Sequence, residues 1–131
     1  MHAISAANDP ITTVFAPNHI HITNEEDLTL TSWEDARITG IVGFEHPYSE
    51  VYANNRRVVT KGNPTTERDH YTVSSGWFPT TGHNGGSGII IQGLPTIRIN
   101  GKEVVYNGCQ VKTHAGVLTS VSGGISTITV V

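Results

Sequence analysis

Residues 83–130 contain one segment twice, and that repeat limits the fold more than any other feature of the chain. Laid over itself so that His83 meets His114, a shift of 31, the sequence also matches Gly85 with Gly116, Gly93 with Gly124, Thr96 with Thr127, Ile97 with Ile128 and Ile99 with Val130. A histidine, a glycine turn and an alternating strand recur together, which marks a repeated supersecondary unit that buries its apolar face against its neighbours.

A second shift, of 46, lays Asn100, Val104, Val105 and Gly108 on Asn54, Val58, Val59 and Gly62, and the Asn100-Gly101 turn on Asn54-Asn55. Asn and Gly at such turns supply the positive φ that tight hairpins need. The chain therefore carries three versions of one hairpin, the last ending at its first strand. The first and most divergent copy spans 38–62, with Pro47 in the place of Gly93 and Arg37 in that of His83. An all-β fold of hairpin repeats that share one axis and one core is expected.

The length of 131 residues suits one domain, and an apolar fraction of 37% gives it a thin core that needs another source of stability. A formal charge of −3 gives no footprint for nucleic acid. The longest apolar run, Ile89-Ile90-Ile91, is far short of a membrane span, and the first residues lack the charged and apolar regions of a secretory signal. Cys109 is the single cysteine, so it is a thiol, a ligand or a nucleophile and not half of an internal disulfide.

Upstream of the repeats, His19-Ile20-His21-Ile22-Thr23 alternates as a strand, Asn24-Glu25-Glu26-Asp27 is an acidic turn, and Leu28 to Thr31 is a second strand. Trp33 to Arg37 reads as one helical turn, and nothing sustains a longer helix. Between Gly62 and His83 lies a long loop punctuated by Pro and Gly, the kind that often carries function. A shorter counterpart runs from Gly108 to His114, and both loops lead into a repeat histidine.

Those two loops supply four ligand-type residues: His70, His83, Cys109 and His114. A rotation relating the repeats would bring His83 and His114 to one end of the axis, and three imidazoles with a thiolate make a closed tetrahedral shell suited to Zn2+. Such a site contributes folding free energy directly. His46 is the reserve ligand. His19 and His21 form a His-x-His pair that could chelate, though two side chains on a solvated face is the plainer reading. A Cys109/His114 catalytic dyad lacks an orienting carboxylate or helix N-terminus in the sequence. Arg56, Arg57, Lys61, Arg98 and Lys102 read as protection of strand edges, and Trp77-Phe78-Pro79 as a core plug.

The stretch Gly93-Leu-Pro-Thr-Ile-Arg-Ile-Asn100-Gly101-Lys102 through Gly108-Cys109 to His114-Ala-Gly116 resembles the PAAR-repeat family, the tip proteins of contractile injection systems such as phage tails and type VI secretion machines. Arg57-Val-Val-Thr-Lys-Gly62-Asn63-Pro64-Thr resembles the same pattern. The resemblance implies a small cone of β-hairpins with pseudo-threefold symmetry (38–131), with residues 1–37 as an N-terminal β extension for docking or for widening the base. It implies a structural, non-enzymatic tip, one copy capping each trimeric β-helical spike and transiently meeting the target-cell outer membrane. Assembly in the bacterial cytoplasm and residence at a tail or secretion tip follow from it. By position its metal ligands would again be His70, His83, Cys109 and His114, holding zinc or, alternatively, iron. Two other readings stand beside it: a free-standing metal-stabilised β domain that binds glycan or protein, and a metallohydrolase using His19, His21 and a further ligand.

Overall fold

A computed structural model describes residues 2–43, 51–81 and 84–130. These form only strands and turns: β1 His2–Ile4, β2 Val14–Asn24, β3 Thr31–Val42, β4 Tyr52–Ala53, β5 Arg56–Arg57, β6 Thr65–His70, β7 Trp77–Pro79, β8 Gly85–Gly86, β9 Ile89–Ile90, β10 Leu94–Ile99, β11 Lys102–Val104, β12 Gln110–Lys112, β13 Leu118–Ser120 and β14 Ile125–Val130. Every pairing is antiparallel. The expected all-β architecture is the one observed, and its largest sheet, β7-β2-β3-β6-β8, curls into a half-barrel.

The pseudo-threefold axis is written in the backbone. Ser5 N–H donates to Val105 O at 3.0 Å, Val105 N–H to Val59 O at 3.2 Å, and Val59 N–H to Ser5 O at 3.3 Å, closing a ring. A second ring surrounds it: Ala7 N–H to Arg57 O at 2.7 Å, Lys61 N–H to Glu103 O at 2.8 Å, and Asn107 N–H to Ala3 O at 2.8 Å. The bridges Ala6↔Val58, Thr60↔Val104 and Ile4↔Tyr106 follow the same cycle. Residues 4–11, 58–65 and 104–111 are therefore equivalent units.

Each unit ends in the same turn. The residues at its left-handed corner are Asn8, Gly62 and Gly108, with φ of 75°, 93° and 103°. Next come Asp9, Asn63 and Cys109, whose side chains cap the backbone N–H three residues earlier: Ala6 to Asp9 Oδ2 at 2.9 Å, Thr60 to Asn63 Oδ1 at 3.1 Å, Tyr106 to Cys109 Sγ at 3.4 Å. A buried N–H without such a partner would cost about 1–3 kcal/mol, which is why a polar or sulfur acceptor recurs here. Each unit then receives a returning strand, through Val42, Ile90 and Val121 respectively. Their side chains join Ile11, Val59, Val105, Cys109 and Val111 in the central apolar cluster.

The third unit is where sequence and structure part. The copy expected over 38–62 keeps its hairpin, Tyr52 opposite Arg57 and Ala53 opposite Arg56 around Asn54-Asn55, whereas the copy that stops at its first strand is completed by the other end of the chain. β14 pairs with β1 through His2↔Val130, Ala3↔Thr129 and Ile4↔Ile125, just as β10 pairs with β11 through Ile99↔Lys102, Arg98↔Glu103 and Leu94↔Val104. The strand that sequence left without a partner finds it at the opposite end of the chain. β3 runs on through residue 37, and Ile4, Ala6 and Ile11 bridge to Tyr106, Val58 and Val121. Trp33 to Arg37 is extended within β3, since pairing with β2 and β6 satisfies its backbone on both sides. The long loop after Gly62 contains β6 and β7.

Between turn and returning strand each unit sends out a loop of different length: Ile11 to Ile41, Thr65 to Ile89, and Val111 to Ser120. The first carries the β2/β3 hairpin, whose Ile20, Ile22 and Ala36 pack with Tyr71, Val73 and Trp77 from the second.

Candidate metal centre

The three loops converge on one cluster, to which each contributes one side chain: His19 from the first, Asp69 from the second and His114 from the third. His19 follows Asn18, a positive-φ residue (50°) within the irregularity between Ala16 and Ile20. That break in register is pinned by Asn18 N–H donating to Asp35 Oδ1 at 2.9 Å. Asp69 sits on β6, where alternation sends Thr65 and Glu67 inward and Thr66, Arg68 and His70 outward. His114 lies in the tight turn closed by Gly116 N–H to Thr113 O at 2.9 Å.

Asp69 Oδ1 is 2.8 Å from His114 Nε2 and 3.2 Å from His19 Nε2, and the two nitrogens are 3.2 Å apart. The Asp69 carboxylate is fully enclosed, whereas the His19 and His114 side chains keep 14% and 13% of their exposure. Its second oxygen, Oδ2, is buried with no hydrogen-bond partner among the described residues. Three electron-rich atoms facing one centre repel one another unless positive charge lies among them, as ring protons or as a metal ion. Donors about 2.0–2.2 Å from a zinc-sized cation stand roughly 2.9–3.4 Å apart, depending on the bond angle. The observed triangle is close to that size, so the group could hold a metal ion.

Further carboxylate support lies behind His114. Glu67 Oε1 meets His114 Nδ1 at 2.5 Å and accepts its backbone N–H at 2.8 Å, while Oε2 accepts a short hydrogen bond from Thr65 Oγ1. Glycine makes the space: a Cβ on Gly86 would lie 2.7 Å from the His114 ring, and one on Gly88 would strike Glu67 Oε2 and Lys112 O.

Of the expected ligands, His114 alone is in this group. His83 and the reserve His46 lie outside the described residues. His70, one position past Asp69, points to the outer face and bonds Thr39 Oγ1 at 2.8 Å. Cys109 is fully buried in the central cluster and serves as the third turn cap, a place its equivalents Asp9 and Asn63 explain. His70, Cys109 and His114 are thus not gathered, and among the described residues the group that could hold a metal ion is His19, Asp69 and His114. Burial pushes the Cys109 thiol above its ordinary range, the opposite of the lowered value a thiolate nucleophile needs.

His19 was readable as half of a His-x-His pair, but the two histidines have separate partners, His21 stacking on Trp33 at 4.7 Å between centroids. Asp69 and Glu67 carried no signal, because Thr65-Thr66-Glu67-Arg68-Asp69-His70 is polar on both parities. Set against known proteins, the chain matches no family model, no curated protein and no solved structure.

Proposed function

We propose that the chain is a structural, non-enzymatic cap, seated in single copy on the end of a trimeric β-helical spike of a contractile tail or secretion machine, as its resemblance to PAAR-repeat proteins implies. The observation that carries this reading is the cyclic backbone ring through Ser5, Val59 and Val105. One polypeptide with three equivalent units can meet three identical strand ends at once, which three separate edges would otherwise leave open to uncontrolled pairing. The hairpins also carry apolar side chains at equivalent positions: Val51, Ile97 and Ile128 are 45%, 38% and 38% exposed.

A metal ion, Zn2+ in the first instance, ties the three loops together through His19, Asp69 and His114. Two imidazoles and a carboxylate suit Zn2+ and also Fe(II), and without a thiolate in the set the donors do not separate them. The clamp offsets the thin core by adding one shared tie to loops that meet through the β3–β6 and β2–β7 pairings and the small Ile20 cluster.

Native mass spectrometry of the purified chain mixed with a trimeric β-helical spike protein tests the cap. One chain per three spike subunits is expected, lost on Ile97→Arg with Ile128→Arg. A chain that stays monomeric at micromolar concentration refutes the cap and favours the free-standing binding domain. That second reading draws on the outward sheet face, where Phe15 and Trp33 are 56% and 53% exposed.

A further inference from the structure

We propose that Glu67, aimed by Thr65, is the positioning residue that fixes His114 in the one tautomer able to ligate a metal; this rests on the metal reading above. The hydrogen bonds around Glu67 have forced directions. Gly88 N–H can only donate, and it donates to Thr65 Oγ1 at 3.0 Å. The hydroxyl's single proton is then free for its other close partner, Glu67 Oε2. Glu67 Oε1 receives the backbone N–H of His114, again a group that only donates. Both oxygens of Glu67 therefore act as acceptors, as an ionised carboxylate requires.

One contact remains, His114 Nδ1 at 2.5 Å from Oε1. An acceptor-only carboxylate demands a proton there. A neutral imidazole with hydrogen on Nδ1 carries its lone pair on Nε2, the atom 2.8 Å from Asp69 Oδ1 and 3.2 Å from His19 Nε2. A directed relay thus runs from a backbone amide through Thr65 and Glu67 to the ligating atom. Its members are held rigidly: Thr65 is 1% and Glu67 3% exposed, and Gly86 and Gly88 leave no room for the ring or the carboxylate to be displaced by a side chain. Carboxylates that receive the second nitrogen of a ligating histidine commonly raise metal affinity by about 10- to 100-fold.

The test uses the full chain, stripped with chelator, and the variants Glu67→Gln, Thr65→Val and Thr65→Ser. Two readouts are taken: the tautomer of His114 from nitrogen-15 chemical shifts in the metal-free protein, and Zn2+ affinity by competition with a chromophoric chelator. The parent is expected to carry hydrogen on Nδ1 throughout, and to present a bare Nε2 once Zn2+ replaces the ring protons shared with Asp69 and His19. Glu67→Gln and Thr65→Val should mix the tautomers and weaken Zn2+ binding about 10- to 100-fold, and Thr65→Ser should restore both. A parent that binds Zn2+ while both variants keep its affinity within about threefold, with an unchanged tautomer, overturns the role of Glu67 alone. A parent with a bare Nδ1 and its hydrogen on Nε2 does the same. A parent that takes up no Zn2+ overturns the metal reading and the positioning role with it.

Discussion

Cys109→Ser separates a thiol that ligates from one that caps a turn. Cys109 is fully buried, and its Sγ accepts Tyr106 N–H at 3.4 Å. A serine hydroxyl can take over that bond, as Asp9 and Asn63 do in the equivalent turns. What it adds is a hydroxyl hydrogen among Val59, Val105 and Val111, where the Tyr106 side chain is the polar group beside it. Burying a hydroxyl whose pairing is imperfect costs about 1–3 kcal/mol, and the retained acceptor bond returns roughly 1 kcal/mol of what a smaller apolar residue would lose. The net destabilisation is about 1–2 kcal/mol, which for a domain of this size lowers the melting temperature by roughly 3–10 °C. Calorimetry with and without chelator should show the same decrement in both conditions. Elemental analysis should find the metal content of the parent. Loss of the metal together with cooperative unfolding would show that Cys109 is a ligand, and the turn-cap account would fall.

The companion substitutions His19→Ala and Asp69→Asn should abolish metal uptake, the second with little change in the metal-free melting temperature because it keeps the side chain's shape. Ile90→Ala, at 1% exposure in the central cluster, should cost about 2–5 kcal/mol in urea denaturation, and a cost below 1 kcal/mol would mean the axis is not packed as described. Because burial raises the Cys109 pKa, the unfolded thiol ionises first: stability is fully present below its unfolded value near pH 8.5 and declines as pH climbs beyond it toward the folded value. Cys109→Ala should flatten that alkaline decline, read as melting temperature between about pH 8 and 10. A circular permutant that joins Val130 to His2 through Asn-Gly, copying the turn between β10 and β11, and opens between Asn54 and Asn55 should fold with an unchanged circular dichroism spectrum.

Much of the threefold was legible because two units share strong signals. Val58-Val59 and Val104-Val105, each followed three residues on by Gly62 or Gly108, place the same apolar pair and the same left-handed corner. The N-terminal unit performs the same turn with Asn8 for glycine and Ile4-Ser5 for the valines, so only Asp9-Pro10 against Asn63-Pro64 remained as a trace. The shift of 31 did locate β14 as a copy of β10, and the missing partner strand was hidden by lying at the other terminus. For the site, a repeated histidine led to His114. Asp69 and Glu67 stayed invisible because period-2 reading depends on apolar residues marking the inner face, and here the inner face of β6 is acidic. Cys109 misled for the opposite reason: its chemistry suggested a ligand, while its position in the turn set decided its role.

The unequal loops divide this small chain between two evolutionary regimes. Near the backbone rings, any change in length must preserve a pattern shared by three units, so insertions there break symmetry in the neighbours too. Beyond the turns, one unit makes a tight return from Val111 to Ser120 while another extends a full hairpin between Ile11 and Ile41, and the rings close in both cases. Insertions at the loop end are therefore expected to leave the rings closed, while those that keep His19, Asp69 and His114 together also preserve the group that could hold a metal ion. Surfaces exposed to a changing environment can diversify quickly on a base held constant by its symmetry.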